Sequence, residues 1–124
     1  MDADTLFVEK DGELQKVRLL GINAPESVNP NRYANSEEGR QASKYVKELL
    51  EPCKFVYLEK DLFAEDKDKY GRLLRYVWLN KNTADSRNML NLKLIKDGYA
   101  EYNSYGNEFL KYKKDFINAQ QKEQ

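Results

Sequence analysis

Residues 17–27, VRLLGINAPES, constrain this chain more than any other stretch. Val17, Leu19, Leu20 and Ile22 give it apolar, β-rich character, and Pro25 ends ladder pairing because it carries no amide hydrogen. A strand therefore delivers a polar cluster, Asn23-Ala24-Pro25-Glu26, at its carboxyl end. Arg18 sits inside the apolar run and Glu26 follows the proline, and neither is needed to finish a core. Charged residues in such places are usually paired or functional.

The remaining elements follow from local pattern. Asp11-Gly12 between β-like runs predicts antiparallel strands over 6–8 and 14–22. Residues 27–35, rich in Asn, Pro and Ser, read as a loop. Ser36 is placed to cap a helix whose first turn carries Glu37 and Glu38. Ala42, Tyr45, Val46, Leu49 and Leu50 then form one apolar face that ends near Pro52. Strands are expected over 54–59 and 73–79, with a charged loop over 62–69 and a turn over 80–85. A second helix is expected over 86–97, closed by Gly98. Residues 99–107 read as a loop, and Phe109, Tyr112, Phe116 and Ala119 trace a last helical stripe. This order fits a small α+β domain with an antiparallel sheet rather than a wound parallel one.

A chain of 124 residues suits one domain with a real core. Its 21 basic and 21 acidic side chains cancel, which argues against nucleic-acid binding by bulk charge while leaving room for a local basic groove. Histidine is absent, and this excludes Ser-His triads, histidine-ligated zinc and histidine-based nuclease chemistry. Any hydrolysis must run on carboxylates, tyrosines, lysines and arginines, with or without a hard metal. Cys53 has no internal disulfide partner and reads as an inert buried thiol. No run of 18 apolar residues occurs, and the residues after Met1 do not show a signal-peptide pattern.

Two further polar clusters abut strands: Asp2-Ala3-Asp4-Thr5, and Asp68-Lys69-Tyr70-Gly71-Arg72. Alone, each is ordinary turn chemistry. In order with VRLLGINAPES they resemble the staphylococcal nuclease family, with its DGDT turn, RLLxxDTPE strand end and DKYGR turn. EEGRQASKYVKELL and NLKLIKDGYA look like that family's first two helices, so the resemblance spans residue 2 to about residue 119.

The resemblance implies an OB-fold, five-stranded β-barrel with three α-helices, cleaving phosphodiester bonds of DNA and RNA with Ca²⁺, single-stranded substrate favoured. Asp4 and Asn23 match metal-binding positions, and Ala24 offers its backbone carbonyl. Arg18 and Arg72 match the phosphate-binding arginines, Glu26 the general base, and Lys69 and Tyr70 the pair at the terminal phosphate. Tyr102 or Tyr105 fills the place of a tyrosine near the nucleotide. The chemistry suits these types: guanidinium forks bind nonbridging oxygens bidentately, a hard cation with oxygen ligands acts as a Lewis acid, and one carboxylate accepts the proton. Asn23 in place of aspartate removes a charge from the metal site, and Ala3 replaces a turn glycine. Only Met1 precedes Asp2, so the expectation is one domain over 1–124, truncated at both ends, its first strand missing and an exposed edge open to pairing with another chain. A secreted or cell-envelope bacterial protein is the expected context.

The rival reading is a noncatalytic OB-fold module that holds single-stranded nucleic acid or a protein. Arg18, Glu26 and Arg72 together speak against it, since a binder needs no base. A structural or immunity-type domain using the exposed edge is a third reading. Tyr76 and Trp78 read as packing residues, and Lys111, Lys113 and Lys114 as a solvated face.

Overall fold

A computed structural model describes residues 2–25 and 37–122. Strands β1 (Thr5–Lys10) and β2 (Glu13–Leu19) form the expected hairpin, in a register running from Thr5 opposite Arg18 to Lys10 opposite Glu13. Its two turn residues, Asp11 (φ 55°) and Gly12 (φ 80°), both adopt the left-handed conformation that matches the twist of a tight hairpin.

β2 stops at Leu19 rather than continuing to residue 22. Gly21 has φ 79°, and a Cβ there would lie 2.4 Å from the Phe116 ring, so the chain bends where only glycine fits. Beyond the bend, β3 (Ile22–Asn23) pairs antiparallel with β6 (Glu101–Tyr102), a strand inside the stretch expected to be loop.

β5 (Leu73–Trp78) is central. It runs parallel to β2, with Arg18 opposite Leu74, and antiparallel to β4 (Tyr57–Glu59), giving the order β1-β2-β5-β4. The expectation of a purely antiparallel sheet is thus corrected. A parallel pair needs a long crossover, and the segment between β2 and β5, which includes a helix, supplies it. β4 is shorter than expected because Tyr57 already faces Trp78, the last residue of β5. Among the described residues the four-stranded sheet and the β3-β6 ladder remain separate and no ladder joins β1 to β4, so these pairings draw a mixed sheet and not a closed five-stranded barrel.

Three α-helices complete the α+β fold. In α1 (Glu37–Leu50), Ala42 and Val46 are buried, and Tyr45 stacks on Tyr99 at 4.3 Å. The expected cap, Ser36, lies outside the described residues. The second helix is split. Asp85 accepts from the Arg87 amide to start a 3-10 turn (Ser86–Asn88), Met89 is extended and bridges to Trp78, and α2 (Leu90–Lys96) follows. Gly98 (φ 82°) ends it, with the Tyr99 amide donating to the Leu94 carbonyl at 2.8 Å. In α3 (Lys113–Lys122) Phe116 is fully buried, whereas Phe109 lies outside the helix and is exposed.

Buried Asn91 stitches these layers where β2 ends. Its Oδ1 accepts from the Val77 amide at 3.0 Å and its Nδ2 donates to the Leu20 carbonyl at 2.9 Å. Tyr76 and Trp78 are core residues with buried polar ends, the hydroxyl donating to Asp61 and the indole to Glu59. Lys111 is exposed to solvent as expected, but it precedes α3 rather than lying on it, and it pairs with Glu59 at 2.7 Å. Cys53 is only partly buried, its thiol directed at the Leu49 carbonyl. No helix among the described residues is long and apolar enough to cross a membrane.

Gly21→Ala should lower unfolding stability by about 3 kcal/mol, combining overpacking against Phe116 with an unfavourable positive φ. Urea unfolding measures this, and a loss below about 0.5 kcal/mol would mean that the bend is not held by that contact.

Candidate active site

The parallel register carries Arg18 to the side of the sheet where the DKYGR turn enters β5. Arg18, Lys69, Tyr70, Arg72 and Tyr105 line one cavity of about 600 Å³. Three segments far apart in sequence therefore meet here: the hairpin, the turn before β5 and the loop after β6.

Arg18 is 8% exposed, so its charge must be answered locally. Its Nη1 donates to the Leu19 carbonyl at 2.8 Å. Its Nη2 donates to the Tyr105 hydroxyl at 2.7 Å and lies 3.4 Å from Asp4 Oδ2. Buried Asp4 also accepts from the Ala24 amide at 2.9 Å, which fixes the end of β3 against the start of β1. The Tyr105 hydroxyl passes the network on, donating to Asn23 Oδ1 at 3.0 Å. Asp4, Arg18, Tyr105, Asn23 and Ala24 are thus one connected cluster.

Tyr105 reaches this position at a backbone cost. Its φ of 50° is left-handed, unusual for an aromatic residue, and its amide is held by Asn103 Oδ1 at 2.8 Å. The Asn103 amide in turn donates to the Gly21 carbonyl at 2.9 Å. The bend after β2 and the loop after β6 position the tyrosine together.

Asp68 builds the other wall. Its Oδ1 accepts from the amides of Tyr70 (2.9 Å) and Arg72 (3.0 Å), and its Oδ2 accepts from Arg72 Nε at 2.7 Å. Arg72 is thereby held by its inner nitrogen, with no acceptor for its terminal nitrogens recorded among the described residues. Burial pushes Asp68 upward, but the Arg72 amide, the Arg72 guanidinium and the Tyr70 amide outweigh it and hold the carboxyl below the ordinary aspartate range. The ring of Tyr70 is exposed, with Lys69 Nζ 5.2 Å and the Arg72 guanidinium 5.3 Å from its centre.

Of the residues singled out from sequence, the structure brings together Asp4, Arg18, Asn23, Ala24, Lys69, Tyr70, Arg72 and Tyr105. Tyr102 goes elsewhere: its ring stacks on Phe116 at 5.9 Å and its buried hydroxyl has no hydrogen-bond partner among the described residues. Glu26 lies outside the described residues. Sequence reasoning missed Asp61, which is 1% exposed and accepts from the Tyr76 hydroxyl (2.6 Å), the Phe63 amide (2.8 Å) and the Lys111 amide (2.8 Å). It ties the loop before the DKYGR turn to the loop after β6. An aspartate in a charged loop carries no local signal of that role.

No group of three His, Cys, Asp or Glu side chains able to hold a metal occurs among the described residues. The oxygen groups in the network around Arg18 are the Asp4 carboxylate and, through Tyr105, the Asn23 carboxamide oxygen, with the Ala24 amide donating to Asp4. The Asp4 and Asn23 oxygens suit a hard cation in chemistry, with one formal negative charge.

The family described as Staphylococcal nuclease homologue matches residues 16–124. The chain is 40% identical over 124 residues to a protein named Thermonuclease from Staphylococcus hyicus, covering 100% of this chain and 67% of that protein. It is 42% identical over 105 residues to a Thermonuclease from Staphylococcus intermedius, covering 85% and 56% respectively. Endonuclease YncB of Bacillus subtilis is 36% identical over 100 residues, covering 81% of this chain and 43% of the relative. The chain thus spans 43% to 67% of the length of these relatives.

The depressed carboxylates predict acid sensitivity. Burial raises Asp61, yet the Lys111 amide, the Tyr76 hydroxyl and the Phe63 amide outweigh it, so Asp61, like Asp68, titrates below its ordinary value. Such groups stabilise the fold fully above the unfolded-state value of about 4, and the contribution is lost as pH falls through the lower folded-state values. Urea unfolding from pH 7 to pH 2 should show this acid limb, and Asp68→Asn should make it shallower. An unchanged limb would mean that Asp68 is not held by Arg72.

Proposed function

Because this chain belongs to the staphylococcal nuclease homologue family, we propose that it hydrolyses phosphodiester bonds of DNA and RNA by attack of water, with Ca²⁺ as cofactor. The observation that supports this most strongly is the cavity lined by both Arg18 and Arg72, with Asp4, Asn23 and Ala24 clustered behind Arg18. Two fixed guanidinium groups facing one space suit a phosphate whose nonbridging oxygens gain charge during attack.

Each side chain then has a task. Arg72, held by Asp68 through Nε, offers its outer nitrogens to the phosphate. Arg18 is oriented by the Leu19 carbonyl, Tyr105 and Asp4, so its charge is in place before substrate arrives. Preorganisation of this kind avoids reorganisation during the reaction. Lys69 and Tyr70 take the terminal phosphate, and Tyr105, rather than the inward-packed Tyr102, takes the nucleotide contact. Glu26 follows Pro25 just beyond β3 and serves as the base that accepts the proton of the attacking water. Asp4, the Asn23 side-chain oxygen and the Ala24 carbonyl would hold the cation. When bound, Ca²⁺ supplies Lewis-acid polarisation of the phosphate.

Glu26→Gln should lower turnover of a DNA oligonucleotide by about 10²–10⁴ while leaving nucleotide affinity nearly unchanged, because glutamine keeps the shape and cannot take the proton. Arg72→Ala should weaken both. Steady-state kinetics and calorimetric titration with a nucleoside bisphosphate separate the two effects. Undiminished turnover in Glu26→Gln would put the base elsewhere, and nucleotide binding by the wild type without turnover would favour the noncatalytic module.

A further inference from the structure

The cavity has one wall that the chemistry above does not use. Phe63 lines it while 67% exposed, and Phe109 beside it is 70% exposed, their ring centres 5.9 Å apart at 40°. Two large apolar rings side by side in water need a partner or a reason. Neither loop is loosely attached. The Phe63 amide is held by buried Asp61, whose other oxygen takes the Lys111 amide and the Tyr76 hydroxyl. Asn107 bridges the two loops directly, its Nδ2 donating to the Phe63 carbonyl at 2.8 Å and its Oδ1 accepting from the Phe109 amide at 3.0 Å. The rings are thus presented from backbones fixed in advance, so less ordering entropy opposes binding to them.

We propose that Phe63 and Phe109 form a stacking platform for a nucleobase of single-stranded DNA or RNA, one whose neighbouring phosphate lies in the cavity of Arg18 and Arg72. This rests on the nuclease reading for the identity of the ligand. The occupant follows from what adjoins the platform: the same cavity carries Arg18, Lys69 and Arg72, which demand anionic charge, while the phenylalanines demand a flat apolar face. Unpaired nucleotides supply both at short spacing, and a duplex hides its base faces in the stack. Phenylalanine has no polar atom with which to read a base edge, so the platform confers preference for unpaired strand without sequence preference.

The test is fluorescence anisotropy of a labelled eight-nucleotide oligothymidylate, with Ca²⁺ present and Glu26→Gln as the common background so that the probe survives. Adding Phe63→Ala or Phe109→Ala should weaken binding about tenfold, within the usual range for base–aromatic stacking. Phe63→Tyr should retain affinity, and an octamer of abasic sugar phosphates should bind all four proteins equally. Thermal unfolding should be unchanged, since both rings are mostly exposed. Oligothymidylate affinity within twofold of the background in both alanine variants, or an equal loss with the abasic octamer, overturns the platform. Digestion of the same oligomer by the wild type is read separately: normal digestion with unchanged variant affinity sinks the platform alone, and absent digestion with a tenfold base-dependent loss sinks the nuclease reading alone.

Discussion

A guanidinium buried inside a strand has to be compensated on the spot, and much of this site is the compensation for Arg18. Breaking such a pair from one side typically costs about 3–5 kcal/mol. Asp4 supplies the countercharge from the turn before β1, and the Ala24 amide anchors Asp4 from beyond β3. Tyr105 satisfies a further donor from the loop after β6 and hands the chain of bonds to Asn23. One charge therefore draws the two ends of the β1–β3 segment and a distant loop to a single point.

A second carboxylate does for the opposite wall what Asp4 does for Arg18. Asp61 gathers two loop amides and the Tyr76 hydroxyl around a buried oxygen pair, while Glu59 accepts from Trp78, Tyr112 and Lys111 nearby. The sheet thus grips the loops through the polar ends of its own core aromatics. Loops held this firmly suit a site whose donors must stand ready before charge develops. The left-handed Tyr105 fits the same picture, since local strain persists only where surrounding bonds over-determine it.

What was legible in the sequence was what depends on neighbours along the chain. Asp11-Gly12 forced the hairpin, the 3.6-residue stripe fixed α1, and Gly98 closed α2. The meeting of VRLLG and DKYGR at one cavity, with Asp4 of DADT paired to Arg18, was legible only from the three stretches together, since each alone is an ordinary turn. The parallel pairing of β2 with β5 was not, because no local residue records a partner so far away. β6 was missed for the same reason: two residues make a strand only because Gly21 turns β3 toward them. The helix expected over 86–97 breaks at Met89 because that residue is drawn into the core against Trp78. Choosing between Tyr102 and Tyr105 required β6, which sends one ring inward onto Phe116 and lets the chain turn to bring the other to Arg18.

If the Arg18–Arg72 cavity is a cation-dependent phosphodiesterase site, as proposed, strand cleavage must require the cation. Incubation of the purified chain with a single-stranded DNA oligonucleotide, in Ca²⁺ and in excess chelator, tests it most directly. Short products should accumulate with Ca²⁺, and full-length strand should survive in chelator. Full-length strand in both, from a chain shown to be folded, would contradict that proposal, as would equal cleavage in both.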